Sequence, residues 1–210
     1  ATRSTVPIEQ VCLDFLPLAP LPGRSGRDAL AATVPKASVQ AIQQVLDAAD
    51  RELAGVTFSS HALGEWGEHA DRRRHHGGRS ADSASTMVIT CDGSRLDLSV
   101  VSGRELTFAH AARITVDEGV DPTTAMLAEV SRTLIAGQRL RPDMRVGHGW
   151  LIGGDDPFAR ALGERLECQV DLADPIAEHP QSHLLKTLQP HPGLAATLLG
   201  AAARVSPLTP

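Results

Sequence analysis

Between Thr86 and Val116 the chain alternates short β-favouring apolar runs with tight turns, and this pattern limits the folds open to it more than any other feature. The runs are Thr86 to Cys91, Leu96 to Val101 and Leu106 to Val116, separated by Asp92-Gly93 and Ser102-Gly103. Turns this short join only antiparallel neighbours, so the segment is expected to be a three-stranded meander. Helix and strand signals then alternate. Asp121-Pro122 is an N-cap followed by proline at the first helical position, and Met126, Leu127, Val130, Leu134 and Ile135 mark one helix face. A strand over Val146 to Ile152 leads into Gly153-Gly154-Asp155-Asp156-Pro157. Phe158, Leu162 and Leu166 form the next helix face, and a short strand covers Glu167 to Leu172. Leu188 to His191 reads as loop, and Leu194 to Ala203 as a helix of small residues.

The N-terminal part is a smaller version of the same mixture. Strands are expected at Ile8 to Leu16 and Ala29 to Val34, joined by a loop rich in proline and glycine. Val39, Ile42, Leu46, Ala49 and Leu53 recur at three- and four-residue steps, predicting a helix ended by Gly55, and Val56 to Phe58 suggests another strand. The polar stretch Gly67 to Ser85, with Arg72-Arg73-Arg74, His75-His76 and Gly77-Gly78, reads as a solvated linker. The expected organisation is a small α/β lobe over 1–66, a linker over 67–85 and a second α/β domain over 86–210.

Composition narrows the function classes. The net charge is −5, and only six of the 210 residues are aromatic, none of them tyrosine. Such a chain lacks both the basic field and the stacking surfaces that nucleic-acid binding uses. No run approaches the ~18 apolar residues of a membrane helix, so direct insertion is not expected. Cys12, Cys91 and Cys168 are odd in number and widely spaced, which suits reduced core cysteines in a cytoplasmic protein.

The order of elements meets a family pattern. Val6-Pro7-Ile8-Glu9-Gln10-Val11-Cys12-Leu13-Asp14-Phe15 resembles the P-x-E-x-V-x-x-D-(F/Y) stretch of the type IV pilus assembly protein PilM and its competence-protein relatives. Asp97-Leu98-Ser99-Val100-Val101 resembles the strand of that family's second phosphate loop. Glu129-Val130-Ser131-Arg132-Thr133-Leu134 is similar to its E-(I/V)-x-R-(S/T)-L helix. Leu151-Ile152-Gly153-Gly154 resembles its glycine turn, and Gly200-Ala201-Ala202 its closing helix. The resemblance implies an α/β, actin-like (ribonuclease-H-like) fold with a mixed sheet, shared more distantly with the cell-division protein FtsA. It also implies protein partners anchored in the membrane, and work in type IV pilus assembly or type II secretion.

The same resemblance sets a test for ATP and magnesium. Actin-like sites grip phosphates through two glycine-rich hairpins and hold the cation through a nearby carboxylate. The first hairpin is expected upstream of Pro7, outside this chain. Vestiges of the site are expected at Asp92, Gly93, Gly153 and Gly154, but Thr90 stands where the metal-side aspartate belongs and Asp92 where a glycine belongs. The favoured reading of Asp92-Gly93 is simply a type I′ turn. The subdomain that closes over the nucleotide has no counterpart between Ile114 and Glu129. Asp155 and Asp156 are expected to cap a helix and to cancel its attraction for anions. The reading is a non-catalytic scaffold or adaptor without a cofactor or catalytic residues, with a homo-oligomer as one possible arrangement. The alternative is an ATPase whose missing parts lie elsewhere.

Other chemistry has weaker support. His179, His183 and His191 fall among prolines without a Cys or Glu-x-x-His element, a poor zinc pattern. Ser59-Ser60-His61 lacks the glycine frame of a nucleophile elbow, which leaves a small hydrolase as a distant alternative. Trp150 reads as core, and Trp66, on a polar helix edge, as a partner contact.

Overall fold

The computed structural model describes residues 7–18, 25–26, 28–53, 55–74, 85–103, 105–115, 121–178 and 187–205. The chain divides into two compact units, Ala1–Val56 and Thr57–Pro210.

The first unit is a hairpin with one helix. Strands β1 (Val11–Pro17) and β2 (Ala29–Pro35) pair antiparallel, with Leu13 opposite Thr33 and Phe15 opposite Ala31. Helix α1 spans Lys36–Ala48, beginning at the residue after Pro35. Ala49 caps it, well before the expected Gly55, because Asp50 takes up the left-handed conformation (φ 55°) that closes the helix. Leu13, Phe15, Ile42 and Val45 remain exposed. Cys12 is exposed as well, contrary to its expected place in a core, since it lies on a two-stranded ribbon too small to bury it. Residues 56–58 form no strand.

The second unit is three-layered. Its five-stranded sheet has the order β5-β4-β3-β6-β7, formed by β3 (Ser85–Asp92), β4 (Arg95–Ser102), β5 (Glu105–Arg113), β6 (Val146–Ile152) and β7 (Gln169–Ala173). The first three strands make the expected antiparallel meander, and β6 and β7 add in parallel beside β3. The parallel additions require crossovers, which α3 (Pro122–Leu140) and α4 (Asp156–Leu166) supply.

Strand alternation divides the core. Met87, Ile89, Leu96, Leu98 and Leu151 face α3 and α4, where they meet Val130, Leu134, Phe158 and Leu162. Val88, Trp150 and Ile152 face the opposite layer, made by α2 (Ser59–Arg74) and α5 (Pro192–Val205). The central strand β3 is buried on both faces, which is why Ser85 to Cys91 shows no polar alternation.

The expected linker over 67–85 is the main difference from the sequence reading. Its first eight residues are the second half of α2, and residues 75–84 lie outside the described residues. Arg72, Arg73 and Arg74 disguise this helix, but Leu63, Trp66, Gly67 and Ala70 form a buried stripe beneath them. Trp66 is therefore a core residue, 2% exposed and edge-to-face with Trp150 at 6.2 Å, and not a partner contact. The stripe also moves residues 57–66 out of the N-terminal lobe and into the second unit.

Candidate functional site

The C-terminal ends of β3 and β6 meet the start of α5, and this end of the sheet brings the sequence-predicted positions together. β3 turns into β4 through Gly93-Ser94, flanked by the pair Asp92 and Arg95. Gly93 has φ 57° and Ser94 no positive φ, so the turn is of the II′ kind, with glycine at its first central position. The type I′ turn centred on Asp92-Gly93 is thereby corrected. Asp92 is the last ladder residue and its side chain stands outside the turn.

Gly153 follows β6 with φ 79°. A Cβ there would lie 2.2 Å from the carbonyl oxygen of Cys91, so the backbone of the glycine turn is pressed against the end of β3. Gly154 leads into the α4 cap, where Asp155 Oδ1 accepts from the Phe158 amide at 2.9 Å. Asp155 caps α4 as the sequence reading expects, its carboxylate taking the free Phe158 amide, while Asp156 is the first residue of the helix itself.

The third wall is the N-terminus of α5. His191 is its cap residue, accepting from the Ala195 amide at 3.1 Å, and Pro192 occupies the first helical position. A Cβ on Gly193 would meet Thr90 Cβ at 3.1 Å. His191 Nδ1 lies 3.4 Å from Asp92 Oδ2. Arg95 donates to both oxygens of Asp97, at 2.8 and 3.1 Å. Asp97 is 7% exposed, and it keeps the Arg95 guanidinium firmly protonated by hydrogen bonds and charge. Thr90, Asp92, Arg95, Asp97, His191 and Gly193 line a cavity of about 350 Å³.

The local sequence gave no sign that Arg95, Asp97 and His191 share this cavity. Arg95 and Asp97 lie on one face of β4, but His191 is about a hundred residues distant and read as loop. The described residues hold no group of three or more His, Cys, Asp or Glu suited to a metal, and His179 and His183 lie outside them. Ser60 offers its backbone carbonyl to Ser99 Oγ at 2.8 Å. Cys91 is buried, and burial pushes its thiol up to about 12.

The residues present do not suit magnesium and a nucleoside triphosphate. The start of α5 lies close to Thr90, where a Cβ on Gly193 would come within 3.1 Å of Thr90 Cβ. The carboxylates at the cavity are already engaged, Asp97 with Arg95 and Asp92 with His191. Neutral Thr90 offers no charge to a cation, and Asp92 opposes a phosphate.

No family model matches the chain, and no curated protein matches it. Among solved structures it is similar to a chain of a PilM-PilN type IV pilus biogenesis complex, with a TM-score of 0.61, 17% identity, and coverage of 97% of this chain and 69% of the other. It also matches a Bacteroides thetaiotaomicron protein described as having an actin-like ATPase fold and unknown function. That TM-score is 0.43 at 11% identity, with coverage of 80% of this chain and 55% of the other. The chain shares its mixed α/β fold with that chain of the PilM-PilN type IV pilus biogenesis complex.

Proposed function

We propose that this chain is a non-catalytic, actin-like scaffold that binds protein partners in type IV pilus assembly or the related type II secretion machinery. The observation that carries the non-catalytic part is the packing of α5 against Thr90. The start of α5, with Gly193 close to Thr90 and His191 beside Asp92, narrows the cavity where an actin-like ATPase would hold phosphate and cation. The partner part is supported by the fold relation to a protein of a two-protein pilus complex. The exposed apolar side chains Leu13, Phe15, Ile42 and Val45 add to it, being the surface that protein contacts cover. Partners anchored in the membrane would bring the chain to the cytoplasmic side of the bilayer, and no described helix is long and apolar enough to cross it.

Calorimetric titration with Mg·ATP tests the reading. A micromolar site needs about 8 kcal/mol net, and each charge-assisted contact supplies about 1.5–3 kcal/mol. With Arg95 held by Asp97, one phosphate hairpin missing and neutral Thr90 in the cation position, binding is expected to be no tighter than millimolar, with no hydrolysis. Removing the acidic charges, by Asp92→Gly with Asp155→Ser and Asp156→Ser, should leave binding negligible, because it creates neither a second phosphate hairpin nor a carboxylate for the cation at Thr90. Micromolar binding by the unmodified chain would replace the scaffold reading with the ATPase.

A further inference from the structure

At the other end of β6, the α2 face of the sheet encloses a polar cluster that scaffolding through the surface does not use. His148 is 4% exposed. Its Nε2 lies 2.8 Å from Asp171 Oδ2 on β7, and its Nδ1 lies 3.3 Å from Asp71 Oδ1 on α2. Asp71 also accepts from Trp150 Nε1 at 2.8 Å and from the Thr86 hydroxyl. Arg74, one turn after Asp71, reaches the same Asp171 oxygen at 2.5 Å, and its guanidinium carbon sits 5.1 Å from the Trp150 ring centroid. The His148 ring meets Trp150 edge-on at 4.8 Å.

This geometry selects a protonation state. Both ring nitrogens of His148 face carboxylate oxygens, and a neutral imidazole has one N–H and one lone pair. In the neutral form the lone pair must point at a carboxylate, whereas the imidazolium donates to Asp171 and sets its positive charge beside Asp71. Charge agrees with this. From α2 the imidazole faces Asp71 and Arg74, from β7 Asp171, and β3 presents only the uncharged Thr86. Arg74 brings one positive charge to the two acids, and protonated His148 brings a second.

We propose that His148 is a proton-operated latch, which as imidazolium fastens the C-terminal half of α2 to β6 and β7 and on deprotonation lets that half of the helix go. Burial works to lower the proton affinity of His148, but the two flanking carboxylates outweigh it and raise the balance above the ordinary value. Burial likewise works to raise Asp71 and Asp171, and their hydrogen bonds, with His148 foremost, hold both below the ordinary value. The signs follow from linkage. A raised histidine contributes stability that is fully present below its unfolded value of about 6.5 and is lost as pH rises through the folded value. Lowered aspartates contribute stability that is present above about 3.9 and lost as pH falls through their folded values. The latch is therefore fully engaged between roughly pH 4 and 6.5 and opens on the alkaline side.

The test uses the full chain, with the His148 ring followed by NMR and tryptophan emission recorded from pH 5 to 9. Trp66 and Trp150 are the only tryptophans and both adjoin the cluster, so emission reports on it directly. The ring is expected to titrate above about 6.5, with an emission step at the same midpoint. Hydrogen exchange of residues 68–74, corrected for intrinsic base catalysis, should lose protection through that midpoint while α3 keeps its own. His148→Gln should abolish the step. Asp171→Asn should move the midpoint down toward the ordinary histidine value, and it decides the matter if the glutamine variant does not fold. A midpoint unchanged in Asp171→Asn, a step that survives in His148→Gln, or no step in the unmodified chain would overturn the latch.

Discussion

Replacing Gly200 by alanine tests how closely α2 and α5 approach. In an ordinary helix interior this change stabilises by about 1 kcal/mol, because glycine is the more flexible residue in the unfolded chain. Gly200 is buried, and a Cβ there would lie 1.8 Å from the carbonyl oxygen of Ala62 and 3.1 Å from the Trp66 amide nitrogen. Both are backbone atoms, so no side chain can rotate away. Real Cβ contacts stay beyond 3.0 Å, and the helices must part by about 1.2 Å, the difference between 3.0 and 1.8. That movement loosens the packing of Leu63, Trp66 and Ala196 together. Overpacking a core costs about 1–3 kcal/mol, and the upper end applies where the obstacle is backbone. Subtracting the helix gain leaves a net loss of about 2 kcal/mol. At about 2–4 °C per kcal/mol for a unit of this size, the melting temperature should fall by roughly 4–8 °C. Urea denaturation followed by tryptophan emission measures the loss. Ala136→Gly, at an exposed position of α3, should cost about 1 kcal/mol and shows that helix propensity keeps its usual sign in this protein. A Gly200→Ala variant as stable as the parent would refute the close approach of the two helices.

Thiol labelling separates the cysteines: iodoacetamide at pH 8 should modify exposed Cys12 rapidly and leave Cys91, with its thiol pushed up to about 12, unmodified in the native protein, as read by intact mass. Asp155→Ala removes the α4 cap and should cost about 1 kcal/mol in denaturant unfolding, with Asp155→Ser recovering most of it.

The sequence by itself determined the elements whose causes are local. Gly93 and Gly103 provide the positive φ that the meander's turns need. Asp121 and Asp155, each followed closely by proline, mark helix starts with their own side chains, and both cap as the pattern implies. The β-favouring run Thr86 to Cys91 marks β3 as a strand. The motifs that resemble the PilM family, taken in order, pointed to the fold that the chain shares with a chain of the PilM-PilN complex.

Tertiary structure decided what depends on close approach. Three arginines and a polar composition conceal that residues 67–74 are helix, because the buried face of α2 is built on alanine and glycine, which carry little hydrophobic signal. Their value lies in smallness, and smallness matters only once α5 lies against them. The same holds for the candidate cavity: Asp92, Arg95 and Asp97 are neighbours in the chain, but His191 and Gly193 reach them only because α5 returns across the end of β3. His148 shows the limit most clearly. In the sequence it is one of nine histidines, and its two carboxylates are 77 and 23 residues away. Only the packing of α2 on β6, with β7 beside them, puts a carboxylate at each ring nitrogen and gives the side chain a preferred charge.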